Sequence, residues 1–148
     1  MKYFEDIEIG DSETVGDYEI TEEEIVKFSN QWDPLPIHVY IEVAARSTRG
    51  GYIASGQLTL AIKQKLYTQT EFIGGTVIGA IGWVDLRFNH PVRPGHRLSL
   101  TFKCIDKRAS SSRTDRGLIK YHVTMVTQHD ETILSCIGLV MVRKRQRE

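Results

Sequence analysis

The chain has 148 residues, which is enough for one domain with a substantial core, and we expect a single domain over residues 1–148. Hydrophobic residues make up 41% and charged residues 26%, as is ordinary in soluble globular proteins. Lys plus Arg and Asp plus Glu both count 19, so the formal net charge is zero. That balance argues against nucleic acid or an anionic membrane as a partner held by charge over the whole surface.

Cysteine usage and the first residues predict the compartment. Cys104 and Cys136 both lie in apolar, strand-like runs, so we expect two buried thiols in a reducing compartment rather than a disulfide framework. The opening MKYFEDIEIGD is acidic and has neither the basic flank nor the apolar run of a signal peptide. No apolar run approaches the roughly 20 residues that a membrane span needs. We therefore expect a soluble, cytoplasmic protein with no membrane partner.

The first half of the chain predicts helices after an opening strand. Residues 3–20 predict a loop followed by a strand. TEEEIVKFSNQW, residues 21–32, predicts a helix because Thr21 and Glu24 have the spacing of a capping box. Pro34 disfavours helical backbone at the residue before it, so this helix should end by about Trp32. Its predicted buried stripe consists of Ile25, Val26 and Phe28.

Two further helical segments follow. Residues 39–48 have helical spacing, with Val39, Val43 and Ala44 on one side, and Gly50 and Gly51 end the pattern. SGQLTLAIKQKLYTQ, residues 55–69, is the longest helical candidate, and Ser55 is a suitable N-cap. Its predicted buried face consists of Leu58, Ala61, Ile62 and Leu66.

The second half predicts four strands joined by short turns. In residues 77–88 the even positions are predicted to form one apolar face of a strand: Ile78, Ala80, Gly82, Val84, Leu86 and Phe88. The apolar run 76–84 suits a buried or shared strand. Two more strands alternate, with Leu98, Leu100, Phe102 and Cys104 inward in the first and Ile119, Tyr121, Val123 and Met125 inward in the second. Residues 132–142 predict a more fully buried strand, and residues 144–148 a charged tail. Helices early and strands late predict an α+β fold, in which an antiparallel sheet packs against one central helix.

The break after the first helix carries two titratable side chains. Asp33 and His38 are separated by a segment that contains Pro34 and Pro36, and each proline restricts the backbone around it. A rigid segment can direct a carboxylate and an imidazole to one point, where they can act as a general acid and base. The alternative is a helix-terminating Asp-Pro pair followed by an ordinary surface or hydrogen-bonded histidine.

The glycine-rich stretch GGYIASG, residues 50–56, leads into the longest helix. Ser55 and Gly56 place backbone N–H groups at a helix N-terminus, where the helix dipole favours negative charge. Because Gly56 has no side chain, a carbonyl oxygen can approach its N–H closely. Such a site can stabilise an oxyanion. The alternative is an ordinary N-cap with glycines that serve only the turn.

Together the two stretches resemble a known family. FSNQWDPLPIHVYIEVAARSTRGGYIASGQLT, residues 28–59, resembles the MaoC-like, (R)-specific enoyl-CoA hydratase family of the hot-dog fold. A branch of that family has the motif Asp-Pro-x-Pro-x-His followed by a Gly-Gly…Ala-Ser-Gly run that opens the central helix. Here the gap of 18 residues between His38 and Gly56 also suits the family. The segments YFEDIEIGD and LRFNHPVRPGHRL resemble its flanking regions, so the likeness covers nearly the whole chain.

The resemblance implies a reaction and a site. It implies reversible syn addition of water to a trans-2-enoyl thioester, with Asp33 and His38 as the catalytic pair and the Gly56 N–H bound to the thioester oxygen. It implies no metal. It also implies no cofactor, because coenzyme A enters only as part of the substrate. Three positions depart from the best-understood hydratase pattern: Leu35 stands in place of Asn, Ser55 where His is frequent, and Gln64 where a Ser falls. We therefore expect Ser55 and Leu35 to lie at the pocket.

The resemblance also implies an assembly, and it leaves other activities open. It implies a homodimer or a higher oligomer, and the substrate partner is an acyl thioester of coenzyme A or of an acyl carrier protein. Because a fold does not determine a function, a thioesterase and a non-catalytic acyl-CoA-binding module remain alternatives. Loss of the enoyl thioester absorbance without release of a thiol indicates hydration. Thiol release indicates a thioesterase, and tight binding with neither signal indicates a binding module.

Overall fold

The computed structural model of the chain describes residues 1–72 and 76–146. The last two residues of the predicted charged tail lie outside this part of the chain. A short 3-10 turn, Phe4–Asp6, opens the fold. Four helices follow: α1 Glu22–Trp32, α2 Pro36–Val39, α3 Ile41–Arg46 and α4 Gly56–Tyr67. None of the helices within the described residues is both long and apolar enough to cross a bilayer.

Five strands form one antiparallel sheet. They are β1 Ser12–Glu19, β2 Val77–Phe88, β3 Arg97–Ala109, β4 Arg116–Val126 and β5 Thr132–Arg143. Their spatial order is β1-β3-β4-β5-β2, so β1 and β2 lie at the two edges. Helix α4 packs against the sheet, and the ring of Tyr67 meets those of Phe102 and Tyr121 edge to face. The predicted α+β architecture, an antiparallel sheet with a central helix against it, is confirmed.

The predicted boundaries of the first helix are confirmed, and its end has a local cause. The Thr21 hydroxyl accepts a hydrogen bond from the Glu24 N–H at 3.1 Å, which satisfies one of the free donors of the first turn. The helix ends at Trp32, and Asp33 follows it with φ −153°. Ile25 is fully buried, whereas Val26 and Phe28 are only partly buried.

The segment predicted as one helical stretch over residues 39–48 contains the end of one helix and the whole of another. Pro36 starts α2, because its fixed φ suits the first turn of a helix and its missing N–H is not needed there. Tyr40 then adopts an extended conformation, with φ −117° and ψ 115°, and α3 begins at Ile41. Of the predicted buried side, Ala44 is fully buried but Val43 is 42% exposed.

Alternation on the two central strands is confirmed. Leu98, Leu100, Phe102 and Cys104 are fully buried on β3, and so are Ile119 and Met125 on β4. Both cysteines are free and buried, as predicted. On α4 the predicted Leu58, Ile62 and Leu66 are buried, but Ala61 is exposed. Thr59 and Lys63 are buried as well, so the buried face of α4 includes the residues that directly follow Leu58 and Ile62.

The prediction that the even positions of residues 77–88 share one apolar face is wrong. The register of β2 against β5 shifts at three places, and Asp85 has a left-handed φ of 52°. Each extra residue in a bulge reverses the side to which later side chains point, so strict alternation is lost. β2 is also an edge strand, and Val84 and Phe88 are 46% and 52% exposed.

Candidate active site

Asp33 is held where α1 ends. Its backbone N–H donates to the Ser29 carbonyl at 2.9 Å, and its own carbonyl accepts from the Leu35 N–H at 2.8 Å. Pro34 lies between them and fixes the local backbone further. The Asp33 side chain is 26% exposed, so its carboxylate is accessible to water and to a substrate.

His38 is buried, and its hydrogen bond determines its tautomer. It lies in the single turn of α2, and its side chain is 7% exposed. Nδ1 lies 2.8 Å from the carbonyl oxygen of Ile53. Because a carbonyl oxygen can only accept, Nδ1 donates, and the neutral ring then has its lone pair on Nε2. Nε2 lies 3.6 Å from Oδ2 of Asp33.

Ser55 joins the carboxylate to the start of α4. Its hydroxyl donates to Oδ2 of Asp33 at 2.6 Å and accepts from the Gln57 N–H at 3.2 Å. The short distance is typical of a charge-assisted hydrogen bond. Ser55 is fully buried, so one hydroxyl both caps α4 and positions the carboxylate near the positive end of the helix. The sequence predicted the cap, but it did not reveal the bond to Asp33.

Gly56 is the first residue of α4, and its N–H therefore has no acceptor within the helix. A Cβ at this position would lie 2.8 Å from the ring of Phe88, so a larger residue here would displace that ring. The turn before it uses glycine for a different reason. Gly50 and Gly51 have φ values of +67° and +151°, which residues with a side chain rarely adopt.

A cleft of about 410 Å³ opens beside His38 and Gly56. Its remaining lining consists of Ile37, Arg49, Ile53, Ala54, Thr59, Phe88, Asn89, His90, Pro91, Val92 and Ile133. The lining combines apolar walls with one cationic side chain, that of Arg49, which forms no ion pair with any other described residue. A site of this kind can hold an apolar group together with an anionic one.

Of the predicted site residues, His38 and Gly56 line this cleft, whereas Asp33 and Ser55 do not; Asp33 lies next to it through its 3.6 Å approach to His38. Leu35, also expected at the pocket, and Gln64 lie elsewhere. Leu35 precedes α2 and is 52% exposed, and it does not line the cleft, so the structure does not bring it into the pocket as expected. Its place at the turn explains this, because the chain must leave Asp33 and enter α2 there. Gln64 lies two turns along α4 from Gly56 and lines a separate pocket of about 210 Å³. Among the described residues, no group of His, Cys, Asp and Glu side chains is arranged as metal ligands.

Sequence comparison identifies the family. The model of the MaoC like domain matches residues 8–127. The chain belongs to the MaoC-like domain family. The uncharacterized protein YdeM of Bacillus subtilis (strain 168) is 26% identical over 125 residues, which are 84% of this chain and 87% of YdeM. The protein MaoC of Klebsiella aerogenes is 30% identical over 114 residues, which are 76% of this chain but only 33% of that protein.

Structural comparison agrees with the MaoC-like assignment. The MaoC-like dehydratase from Rhodospirillum rubrum has a TM-score of 0.92 and 27% identity, over 99% of this chain and 100% of that one. The (R)-hydratase from A. caviae has a TM-score of 0.71 at 18% identity, over 90% of this chain and 96% of that one. Rv0216 of Mycobacterium tuberculosis, described as a double hot-dog fold, has a TM-score of 0.79 at 19% identity, over 99% of this chain and 46% of that one. The predicted family and hot-dog fold are confirmed.

Three parts of this candidate site were not predicted from the sequence. The Ile53 carbonyl orients His38, Phe88 covers Gly56, and Thr59 lines the cleft one turn along α4. Phe88 was predicted only as a member of an apolar face, and that pattern does not predict its contact with Gly56. Thr59 carried a usable signal, because it lies three residues after Gly56 and therefore on the same face of the helix.

Proposed function

We propose that the chain is a hydro-lyase that adds water reversibly across a trans-2-enoyl thioester to give an (R)-3-hydroxyacyl thioester. The observation that carries the proposal is the position of two proton acceptors beside a free helix N-terminus. Oδ2 of Asp33 and Nε2 of His38 lie 3.6 Å apart, and the Ser55 hydroxyl connects Asp33 to the Gln57 N–H in the first turn of α4. Membership of the MaoC-like family supports the same reaction class.

Substrate activation is assigned to the start of α4. The thioester oxygen accepts a hydrogen bond from the Gly56 N–H, which has no acceptor within the helix. As water adds, negative charge develops on that oxygen. The N–H and the positive end of the helix dipole stabilise this charge, in the manner of an oxyanion hole.

Water activation is assigned to the acid–imidazole pair. A water molecule beside Asp33 and His38 loses a proton to the pair while its oxygen bonds to Cβ of the enoyl group. The electrons of the double bond move to the thioester oxygen as an enolate. The pair then returns the proton to Cα, so one water has been added and the residues are regenerated. The Nδ1–H bond to Ile53 supports this role, because it keeps the lone pair of neutral His38 on Nε2.

The thioester carrier is assigned to the polar side of the cleft. Arg49, Asn89 and His90 line the same cleft as His38 and Gly56, next to apolar walls. A guanidinium can bind phosphate oxygens through two parallel N–H bonds. We therefore propose that Arg49 contacts the phosphates of coenzyme A, or the phosphopantetheine of an acyl carrier protein.

We also propose a homodimer formed through the edge strand β2. The strand is 12 residues long and exposes four large apolar side chains in the isolated chain: Ile81, Trp83, Val84 and Phe88. A long, apolar, exposed sheet edge is a template for pairing with another chain. Phe88 also lines the cleft, so a second copy at this edge would lie close to the site. A purified protein that stays monomeric at micromolar concentration would refute the dimer.

Variants of Asp33 and His38 test the proposed reaction. With a trans-2-enoyl-CoA substrate, the wild-type protein should remove the conjugated thioester absorbance without releasing a thiol. Asp33→Asn and His38→Ala should each lower kcat by at least about a hundredfold, since general acid–base catalysis contributes on that scale. Matched controls are Asp106→Asn and His122→Ala, two exposed strand residues outside the cleft, and both should retain full activity.

Three outcomes would contradict the proposal. Thiol release by the wild-type protein would identify a thioesterase. Full activity in either the Asp33 or the His38 variant, with its fold verified by circular dichroism, would remove the assigned pair from the mechanism. Tight binding of the thioester without either signal would identify a non-catalytic binding module.

A further inference from the structure

Lys63 is a buried cation without an anionic partner. It lies on α4 and is 4% exposed, although lysine is almost never fully buried unless it is paired. Its amine forms no salt bridge or hydrogen bond within the described part of the chain. Instead Nζ lies 4.8 Å from the ring centroid of Trp83 and 5.4 Å from that of Tyr67. Burial lowers the pKa of Lys63, which reflects the free energy needed to keep a charge there.

A pocket of about 210 Å³ adjoins this amine. Most of its wall is apolar and comes from β2, β4 and β5: Val77, Gly79, Ala80, Trp83, Tyr121, Val123, Gly138, Leu139 and Val140. Helix α4 contributes Lys63, Gln64 and Tyr67. The Tyr67 hydroxyl is buried and has no hydrogen-bond partner among the described residues. Burial also raises the pKa of Tyr67, so its hydroxyl stays protonated and remains a donor. Two unpaired donors therefore belong to one small pocket.

This pocket follows the proposed active site along the same helix face. Gly56, Thr59 and Lys63 are spaced by three and four residues, which places them in one row on α4. Seven residues of helix rise about 10 Å, so Lys63 lies that far along the axis from the Gly56 N–H. β2 accompanies the helix over this distance, with Phe88 against Gly56 and Trp83 against Lys63. The two cavities share no lining residue, so a linear acyl chain that starts at Gly56 would have to pass along this row, between α4 and β2, to reach the second one.

We propose that the pocket binds the distal end of the acyl chain, and that this end is a carboxylate held by the Lys63 ammonium and the Tyr67 hydroxyl. The inference rests on the proposed function, because it extends the acyl chain from a thioester bound at Gly56. The apolar walls contact the methylene groups, and the carboxylate supplies the anion that Lys63 lacks. An acyl chain that ends in a methyl group would leave both donors without acceptors, which is unfavourable for buried polar groups.

Binding measurements test this inference separately from catalysis. The probes are two saturated acyl-CoA thioesters of equal carbon number, one ending in a methyl group and the other in a carboxylate, at several chain lengths. Saturated chains cannot be hydrated, so calorimetry reports affinity alone. The wild-type protein should bind the carboxylate-ended chain at least tenfold more tightly at one chain length. Lys63→Met keeps the apolar volume, and it should abolish or reverse that preference. Tyr67→Phe removes only the hydroxyl and should reduce the preference several-fold.

Two results would overturn the inference. In the first, the wild-type protein binds the methyl-ended thioester as tightly as its carboxylate-ended partner at every length. In the second, Lys63→Met retains the wild-type preference. If Lys63→Met in this second case also weakens self-association, the missing anion is assigned to a second copy of the chain. Hydration assays on the matching enoyl thioesters keep the two proposals apart. A preference in binding without any turnover refutes the hydro-lyase alone, and turnover without a preference refutes the carboxylate site alone.

Discussion

Ser55 makes two bonds with one hydroxyl, so Ser55→Ala should be unusually destabilising for the loss of a single oxygen. The substitution removes an N-cap, which contributes about 1 kcal/mol. It also removes a donor to a carboxylate, a type of bond that contributes about 1.5–3 kcal/mol. Asp33 is 26% exposed, so water replaces part of this bond and the lower value applies. We expect the free energy of unfolding to fall by about 2.5 kcal/mol, which lowers Tm by roughly 5–10 °C in a chain of this size.

Thr21→Ala is the matched control, because Thr21 caps α1 and lies outside the site. Its hydroxyl accepts from the Glu24 N–H at 3.1 Å, close to the 3.2 Å of the Ser55 cap. This control should lose about 1 kcal/mol and keep full hydration activity. Ser55→Ala should lose tenfold or more in kcat, because the Asp33 carboxylate is no longer oriented. Urea unfolding at a fixed protein concentration measures the stabilities, and the enoyl thioester assay measures kcat.

A double-mutant cycle isolates the Asp33–Ser55 bond. Stabilities of the wild type, Asp33→Ala, Ser55→Ala and the double variant should give a coupling energy of about 1.5 kcal/mol. If the coupling is near zero and Ser55→Ala is no more destabilising than Thr21→Ala, the hydroxyl acts only as a cap. The account of Asp33 positioning would then be wrong.

Three further predictions follow from other parts of the molecule. Gly56→Ala should fold with little change in stability, because Phe88 is exposed and its ring can move. It should lower kcat/KM at least tenfold, and adding Phe88→Ala should restore part of the loss. Unchanged steady-state kinetics of Gly56→Ala would contradict this prediction. Lys63→Met should raise the free energy of unfolding near neutral pH by about 1 kcal/mol, measured in urea. Burial lowers the pKa of Lys63, so between that pKa and about 10.4 the unfolded chain binds more protons than the folded protein, and wild-type stability rises with pH. The stability advantage of the Met variant should therefore shrink as pH rises. A difference in stability that stays constant with pH would refute the burial of the charge. Ile81→Lys on the exposed face of β2 should convert the proposed dimer to a folded monomer in sedimentation analysis, whereas an unaltered sedimentation coefficient would exclude this edge as the interface.

Local rules determined much of the fold from the sequence. The cap at Thr21 and the prolines after Trp32 act within a few residues, so the bounds of α1 could be predicted. Alternation on β3 and β4 was equally readable, because both are inner strands with one face against the core. The approach of Asp33 to His38 could be predicted as well, since only a short, rigid segment separates them.

Contacts between distant residues were decided by the tertiary structure. Ser55 and Asp33 are 22 residues apart, and whether they meet depends on how α1 packs beside α4. The same packing brings the Ile53 carbonyl to His38. The bulges of β2 and the burial of Lys63 depend on which elements lie next to them, and no spacing rule within the sequence contains that information. The sequence by itself therefore determined the candidate catalytic residues, while the tertiary structure decided how they are oriented and what lies beyond them along α4.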